Sequence, residues 1–173
     1  MNMIQRTAVR VTLLVAVTAT IGCDRVTKHL ASEALARGEV HTYLADTIRL
    51  EYAENTGGFL SLGANLPEPW RTRLFTTVAG VVLVLMALAA MRARRDVWLL
   101  SGASLVLAGG ASNWIDRLVR GSVIDFMNVG IGRLRTGVFN VADVAIMAGV
   151  TCIVVSRLRA GRSTPSLEDR PSA

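Results

Sequence analysis

Three stretches of this chain leave little room for a water-soluble fold. Leu74 to Met91 runs 18 residues without a charge, Val97 to Ile115 runs 19, and Thr136 to Ser156 runs 21 with Asp143 as its one charge. A helix needs about 17–25 predominantly apolar residues to cross a bilayer, so each stretch reads as a membrane span. A fourth run, Val11 to Cys23, is uncharged for only 13 residues. It reads either as a span whose outer third carries polar groups or as the core of a signal peptide. Composition agrees: 51% of residues are hydrophobic and only 18% are charged, against about 25% charged in an ordinary soluble domain. That excludes a disordered chain as well. The net charge of +6 does not argue for nucleic acid, because the basic residues lie beside the apolar runs.

The connections set an expected topology. Arg92, Arg94 and Arg95 crowd the short turn between two spans, Arg6 and Arg10 precede the first, and Arg157, Arg159 and Arg162 follow the last. With four spans these regions share one side, which the positive-inside rule makes cytoplasmic. Arg117, Arg120, Arg133 and Arg135 weaken that asymmetry from the opposite side; they suit anionic lipid headgroups. The long connection over residues 36–70 contains an alternating strand pattern, Thr47 to Tyr52. The turn residues Asn55-Thr56-Gly57-Gly58 follow, then a return strand at Phe59 to Leu62, and Pro67 and Pro69 break the chain. Val123 to Met127 reads as another short strand. Residues 1–160 therefore form one membrane domain, and the Ser-, Pro- and charge-rich segment 161–173 a disordered tail.

The chemistry on offer is narrow. Two cysteines, Cys23 and Cys152, and two histidines, His29 and His41, show no zinc-ligand spacing. No P-loop and no GxSxG elbow occurs, and Lys28 is the sole lysine. No metal and no cofactor is expected. Carboxylates remain. Asp143 lies about two turns inside an apolar run, where a charge is costly and marks a functional candidate, or else a snorkelling carboxylate at a helix end. Asp125 is flanked by Val123, Ile124, Phe126 and Met127, and the chain must return it to the same interface as Asp143. Two carboxylates sharing a half-dry site hold one proton between them, which is what acid–base hydrolysis requires. The alternative is two unrelated interfacial aspartates. Gly109, Asn113, Asp116 and Arg117 fall on one helix face, either as polar contacts between helices with a boundary ion pair or as supports for that chemistry. Asp24 and Lys28, one turn apart, form a pair of small value if exposed. Asn140 precedes Asp143 by one turn, as an orienting amide or a helix cap.

Five blocks of residues, in order, now stand together. They are Asp24-Arg25-Val26-Thr27-Lys28, Asn55-Thr56-Gly57-Gly58-Phe59, Gly109 through Arg117, Val123-Ile124-Asp125-Phe126, and Phe139-Asn140-Val141-Ala142-Asp143. This order resembles the bacterial lipoprotein signal peptidases, also called signal peptidase II, over about residues 10–158. The resemblance implies an aspartic endopeptidase of the inner membrane with both termini cytoplasmic and its active site near the outer leaflet. It implies a four-helix, all-α membrane core with a small extracytoplasmic β-sheet cradle. Its substrates would be diacylglyceryl-modified prolipoproteins, cut before the lipidated cysteine. Its other partner would be membrane phospholipid, with no nucleic acid, and the chain would act as a monomer. Carried over by motif, Asp125 and Asp143 resemble the catalytic pair. Asp24, Lys28, Asn55, Gly57, Gly109, Asn113, Arg117, Asn140 and Ala142 resemble the supporting, substrate-binding positions. Two positions depart from the pattern. Phe59-Leu60 stands where a small residue and then Phe are common, and Ala108 where a first glycine is common.

Two other classes of function compete. Thr20-Ile21-Gly22-Cys23 loosely resembles a lipobox, which would make the chain itself a lipoprotein beginning at Cys23. A membrane scaffold is the third reading, and it leaves the two outer-interface aspartates without a purpose.

Overall fold

A computed structural model describes residues 3–35, 38–56, 67–92 and 97–162. The chain is mostly helical, with one small antiparallel sheet. In order it runs α1 (Met3–Ala34), β1 (Val40–Tyr43), β2 (Ile48–Asn55), α2 (Glu68–Arg92), α3 (Val97–Arg120), β3 (Val123–Ile131), β4 (Leu134–Arg135) and α4 (Val141–Arg162). The strands are ordered β1-β2-β3-β4.

The first apolar run proves to be part of a 32-residue helix, about 48 Å long at 1.5 Å per residue. The hydrocarbon core of a bilayer is only about 30 Å thick. The helix continues through Asp24, Arg25 and Lys28 because their charges are paired inside the protein. Among the described residues, two helices are long and apolar enough to cross a membrane, at Arg73–Met91 and Val141–Arg159. Their outward faces carry exposed side chains such as Val78, Val82, Leu85, Val144, Met147 and Leu158. Contiguous apolar surface of that extent requires an apolar partner.

The fourth apolar run is corrected at its start. The helix begins at Val141 and not at Thr136. Residues 136–140 instead extend the sheet: the Thr136 N–H donates to the Val129 carbonyl (2.8 Å), the Phe139 N–H to the Met127 carbonyl (2.8 Å), and the Phe139 carbonyl accepts from Met127 (2.9 Å). Asp143, expected two turns inside a helix, therefore lies in the first turn of α4. At the other end α4 reaches Arg162, and residues 163–173, the expected tail, lie outside the described residues.

The alternation at Thr47–Tyr52 does form a strand, extended to Asn55. It pairs with β1, which sequence periodicity did not show, and with β3. A bulge between Leu50 and Ala53 bends β2 toward the helix ends. The return strand expected at Phe59 to Leu62 lies outside the described residues. Ala31, Leu35 and Phe126, with Leu50, Tyr52, Met127 and Val141 around them, seat the sheet on the end of α1 and the start of α4.

α3 and α4 approach through small residues, as helices do where lipid supplies no hydrophobic drive. A Cβ on Gly102 would meet the Gly149 carbonyl oxygen at 2.6 Å, and one on Gly109 would strike the Ala142 carbonyl oxygen. Gly109→Ala is thus expected to push the start of α4 away from α3. The expected cost is about 1–3 kcal/mol, as in other overpacked cores, read as a lowered unfolding midpoint in detergent, with loss of activity. An unchanged midpoint would show that α4 shifts freely.

Candidate active site

The site is built on the N-terminus of α4. Asn140 caps the helix: its side-chain Oδ1 accepts from the Asp143 N–H at 3.0 Å, and its own backbone N–H donates to Asp143 Oδ2 at 3.0 Å. This reciprocal capping box fixes the Asp143 carboxylate at the positive end of the helix dipole. Asn140 also donates through Nδ2 to Asp125 Oδ1 at 2.6 Å, so one residue bridges both carboxylates. Asn55, at the end of β2, donates to Asp125 Oδ2 at 3.2 Å. β3 delivers Asp125 because Ala53 pairs with it across the bulge.

Asn113 supplies the remaining donor to Asp143, Nδ2 to Oδ1 at 2.9 Å. Its amide cannot turn round, because its Oδ1 already accepts from Lys28 Nζ at 2.7 Å and from Asn140 Nδ2 at 3.2 Å. Lys28 is itself held between Asp24 and Asp116, 2.7 Å from each. Arg25 reaches the other oxygen of Asp116 at 2.7 Å. Two acids and two bases thus compensate one another. Asp24, fully buried, also accepts from Ser112 Oγ (2.6 Å) and from the Ala142 N–H (2.9 Å). The pair, of small value if exposed, is buried and ties α1 to α3 and α4.

Of the residues singled out by sequence, eleven meet here: Asp125, Asp143, Asp24, Lys28, Asn55, Gly109, Asn113, Asp116, Arg117, Asn140 and Ala142. Arg117 donates to the Asn113 carbonyl at 3.4 Å, and its charge acts on both Asp125 and Asp143. Ala142 contributes its N–H to Asp24 and packs its backbone carbonyl against Gly109. Gly57, with Phe59, lies outside the described residues. Ala108 is buried on α3. Arg25, Ser112 and the bracing role of Asp116 were not foreseen. Their signal was present: Ser112 and Asp116 flank Asn113 in one block, and Arg25 stands within the first.

A family model described as signal peptidase (SPase) II matches residues 16–159. The chain belongs to this family. The lipoprotein signal peptidase of Azoarcus sp. (strain BH72) is 35% identical over 161 residues, covering 92% of this chain and 90% of that one. The lipoprotein signal peptidase of Nostoc sp. (strain PCC 7120) is 32% identical over 148 residues, covering 86% and 88%. A bacterial membrane enzyme solved by the in meso method at 2.3 Å resolution shares the fold. Its TM-score is 0.75 at 20% identity, covering 94% of each chain. Membership of the signal peptidase II family makes the chain a membrane protease, and its aspartic chemistry accords with the carboxylates at the site.

The environment tunes Asp125. Burial, and then the charge of Asp143, push its pKa up to about 6, against the hydrogen bonds from Asn55 and Asn140 and the charge of Lys28. The Asn55 amide bonds the ionised carboxylate, so removing it favours the protonated form. Asn55→Ala is expected to raise the Asp125 pKa. The limb of the kcat/KM profile near pH 6 should then move toward higher pH, and a limb that stays in place or moves toward acid would contradict this.

Proposed function

We propose that Asp125 and Asp143 are the catalytic pair of this signal peptidase, sharing one proton. One ionised carboxylate removes a proton from water as the oxygen attacks the scissile carbonyl carbon. The protonated carboxyl meanwhile hydrogen-bonds the carbonyl oxygen. The tetrahedral intermediate collapses with the C–N bond breaking, and the leaving amine takes a proton from the pair. The observation that carries this reading is Asn140, which bonds both carboxylates at once. The family removes signal peptides from prolipoproteins. The finer reading is that this chain cuts diacylglyceryl-modified substrates before the lipidated cysteine, as a monomer within membrane phospholipid. Asp24, Lys28, Asn55, Gly57, Gly109, Asn113, Arg117, Asn140 and Ala142 support the pair or the substrate. Deleting the gene should accumulate uncleaved prolipoprotein, and the wild-type chain should restore cleavage. Normal processing in the deletion strain would count against the assignment.

The same proposal places four spans in the inner membrane, both termini in the cytoplasm, and the site near the outer leaflet. The apolar outward faces of the helices and the basic turn at Arg92–Arg95 support it. Reporter fusions after Arg95 and at Ala173 are expected to read cytoplasmic, and those near Glu68 and Gly130 external. An external reading at Ala173 would overturn the topology. The competing lipoprotein reading would remove everything before Cys23. Against it, α1 runs unbroken through Cys23, so the first span is proposed to be retained.

A further inference from the structure

Three helices leave a groove at the end of the molecule away from the carboxylates. Among the described residues α2 packs along α3 and α3 along α4, but α2 and α4 do not pack on each other. The gap between them is floored by Leu99 and Ala103 of α3 and walled by Leu85 and Ala89 of α2 and by Ile153 and Arg157 of α4. Its volume is about 420 Å³, a size at which ligand sites are common. Its α2 wall, from Val82 to Ala90, covers roughly 12 Å at about 1.5 Å per residue. Asp143 and Arg157 stand on the same helix, roughly 21 Å apart along its axis by the same rise, so this groove is distinct from the catalytic site.

The spans fix its depth. The apolar segment of α2 ends at Met91 and that of α4 at Arg159. The groove therefore lies within the apolar length of both helices, with Arg157 just inside their boundary. Arg159 lies over the Trp98 ring, 4.6 Å from its centroid, and tryptophan at this level is what a membrane–water interface favours. Arg157 is exposed, and among the described residues no carboxylate pairs with it. It is also the one polar side chain in a lining that is otherwise hydrocarbon.

Hydrocarbon at depth with a guanidinium at the boundary matches the two ends of a single kind of molecule. We propose that the groove binds a phospholipid of the leaflet opposite the catalytic pair, with one acyl chain between α2 and α4 and its phosphate on Arg157. A guanidinium offers paired N–H donors to phosphate oxygens, and anionic lipid is attracted to basic residues at the membrane surface. A helix from a second copy of the chain would fill the apolar gap but bring no anion to Arg157. A diacylglyceryl-cysteine carries no phosphate, so Arg157 also separates this ligand from the substrate. The bound chain supplies the apolar contact that α2 and α4 do not make with each other. The site rests on the membrane-spanning reading above.

Photo-crosslinking tests it in the full chain. The wild type, Arg157→Gln and Ala89→Phe are reconstituted in vesicles of phosphatidylethanolamine and phosphatidylglycerol. A trace of the phosphatidylglycerol carries a diazirine midway along one acyl chain. Ala89 is exposed, so the added ring occupies the groove without entering the core, and an unchanged circular dichroism spectrum shows that each variant is folded. In the wild type, label on the groove residues Ala89 and Ile153 is expected to exceed that on Val84 and Val154, exposed elsewhere on the same helices, by several-fold. Each variant is expected to remove that excess and leave the label on Val84 and Val154 unchanged. Even labelling of groove and outer faces in the wild type, or an excess that survives in either variant, would overturn the site alone. Absence of label from both helices would overturn the spanning reading and the site with it.

Discussion

Asp125→Asn and Asp143→Asn are each expected to lower prolipoprotein cleavage by about 10²–10⁴-fold, the usual loss when an acid–base partner is removed. The amide keeps the shape and part of the bonding but cannot carry the shared proton. In the Asp143 variant the capping interaction with the Asn140 N–H survives, because the amide oxygen still accepts. The amide nitrogen then faces a donor, Asn113 Nδ2 at position 143 and the Asn140 or Asn55 amide at position 125, so each variant is expected to insert and purify with a modestly lowered unfolding midpoint. Cleavage within a few-fold of wild type in either would remove that aspartate from the chemistry. A variant that fails to fold would assign it to structure.

The largest effect on stability is expected at Lys28. Its ammonium is buried, with Asp24, Asp116 and the Asn113 side-chain Oδ1 as partners at 2.7 Å each. Lys28→Met fills similar volume but leaves two buried carboxylates short of a cation. Breaking a buried pair on one side costs about 3–5 kcal/mol. The expected result is a clear fall in the unfolding midpoint in detergent. Restoring charge balance with Asp116→Asn in the same chain should recover part of it, although Arg25 then loses its carboxylate partner and keeps the Ser112 carbonyl. A midpoint equal to wild type would show that these carboxylates do not depend on Lys28.

Much of the site was legible before any coordinates, for a physical reason. Charged and amide groups are costly in apolar runs, so Asp143, Asn113 and Asp125 stood out against their neighbours. What the sequence hid was how far structure departs from the hydropathy boundary. Thr136 to Val138 are uncharged and look like the start of a span, yet hydrogen bonds to β3 claim this segment and the cap at Asn140 starts the helix at Val141, five residues later. The same local chemistry turned Asp143 from a mid-run charge into a first-turn residue. Spacing left open whether the Asp24–Lys28 pair was a small helix-end bridge, because it reports that two groups meet but not that α3 covers them. β1 escaped notice because Val40 to Tyr43 is exposed along its whole length and has no buried face to impose an apolar alternation. The sheet was only half visible: Ile48 and Leu50 alternated clearly, but their partners Val129 and Met127 are assigned only by register.

The central claim is that two bridged carboxylates cut a lipid-modified prolipoprotein before its cysteine. Its most direct test is intact-mass spectrometry of a diacylglyceryl-modified prolipoprotein after incubation with the purified chain. The account predicts two products, the released signal peptide and a mature protein that begins at the lipidated cysteine, with neither formed by the Asp125→Asn or Asp143→Asn chain. A cut elsewhere, an intact substrate with the wild-type chain, or the same products from either variant would contradict it.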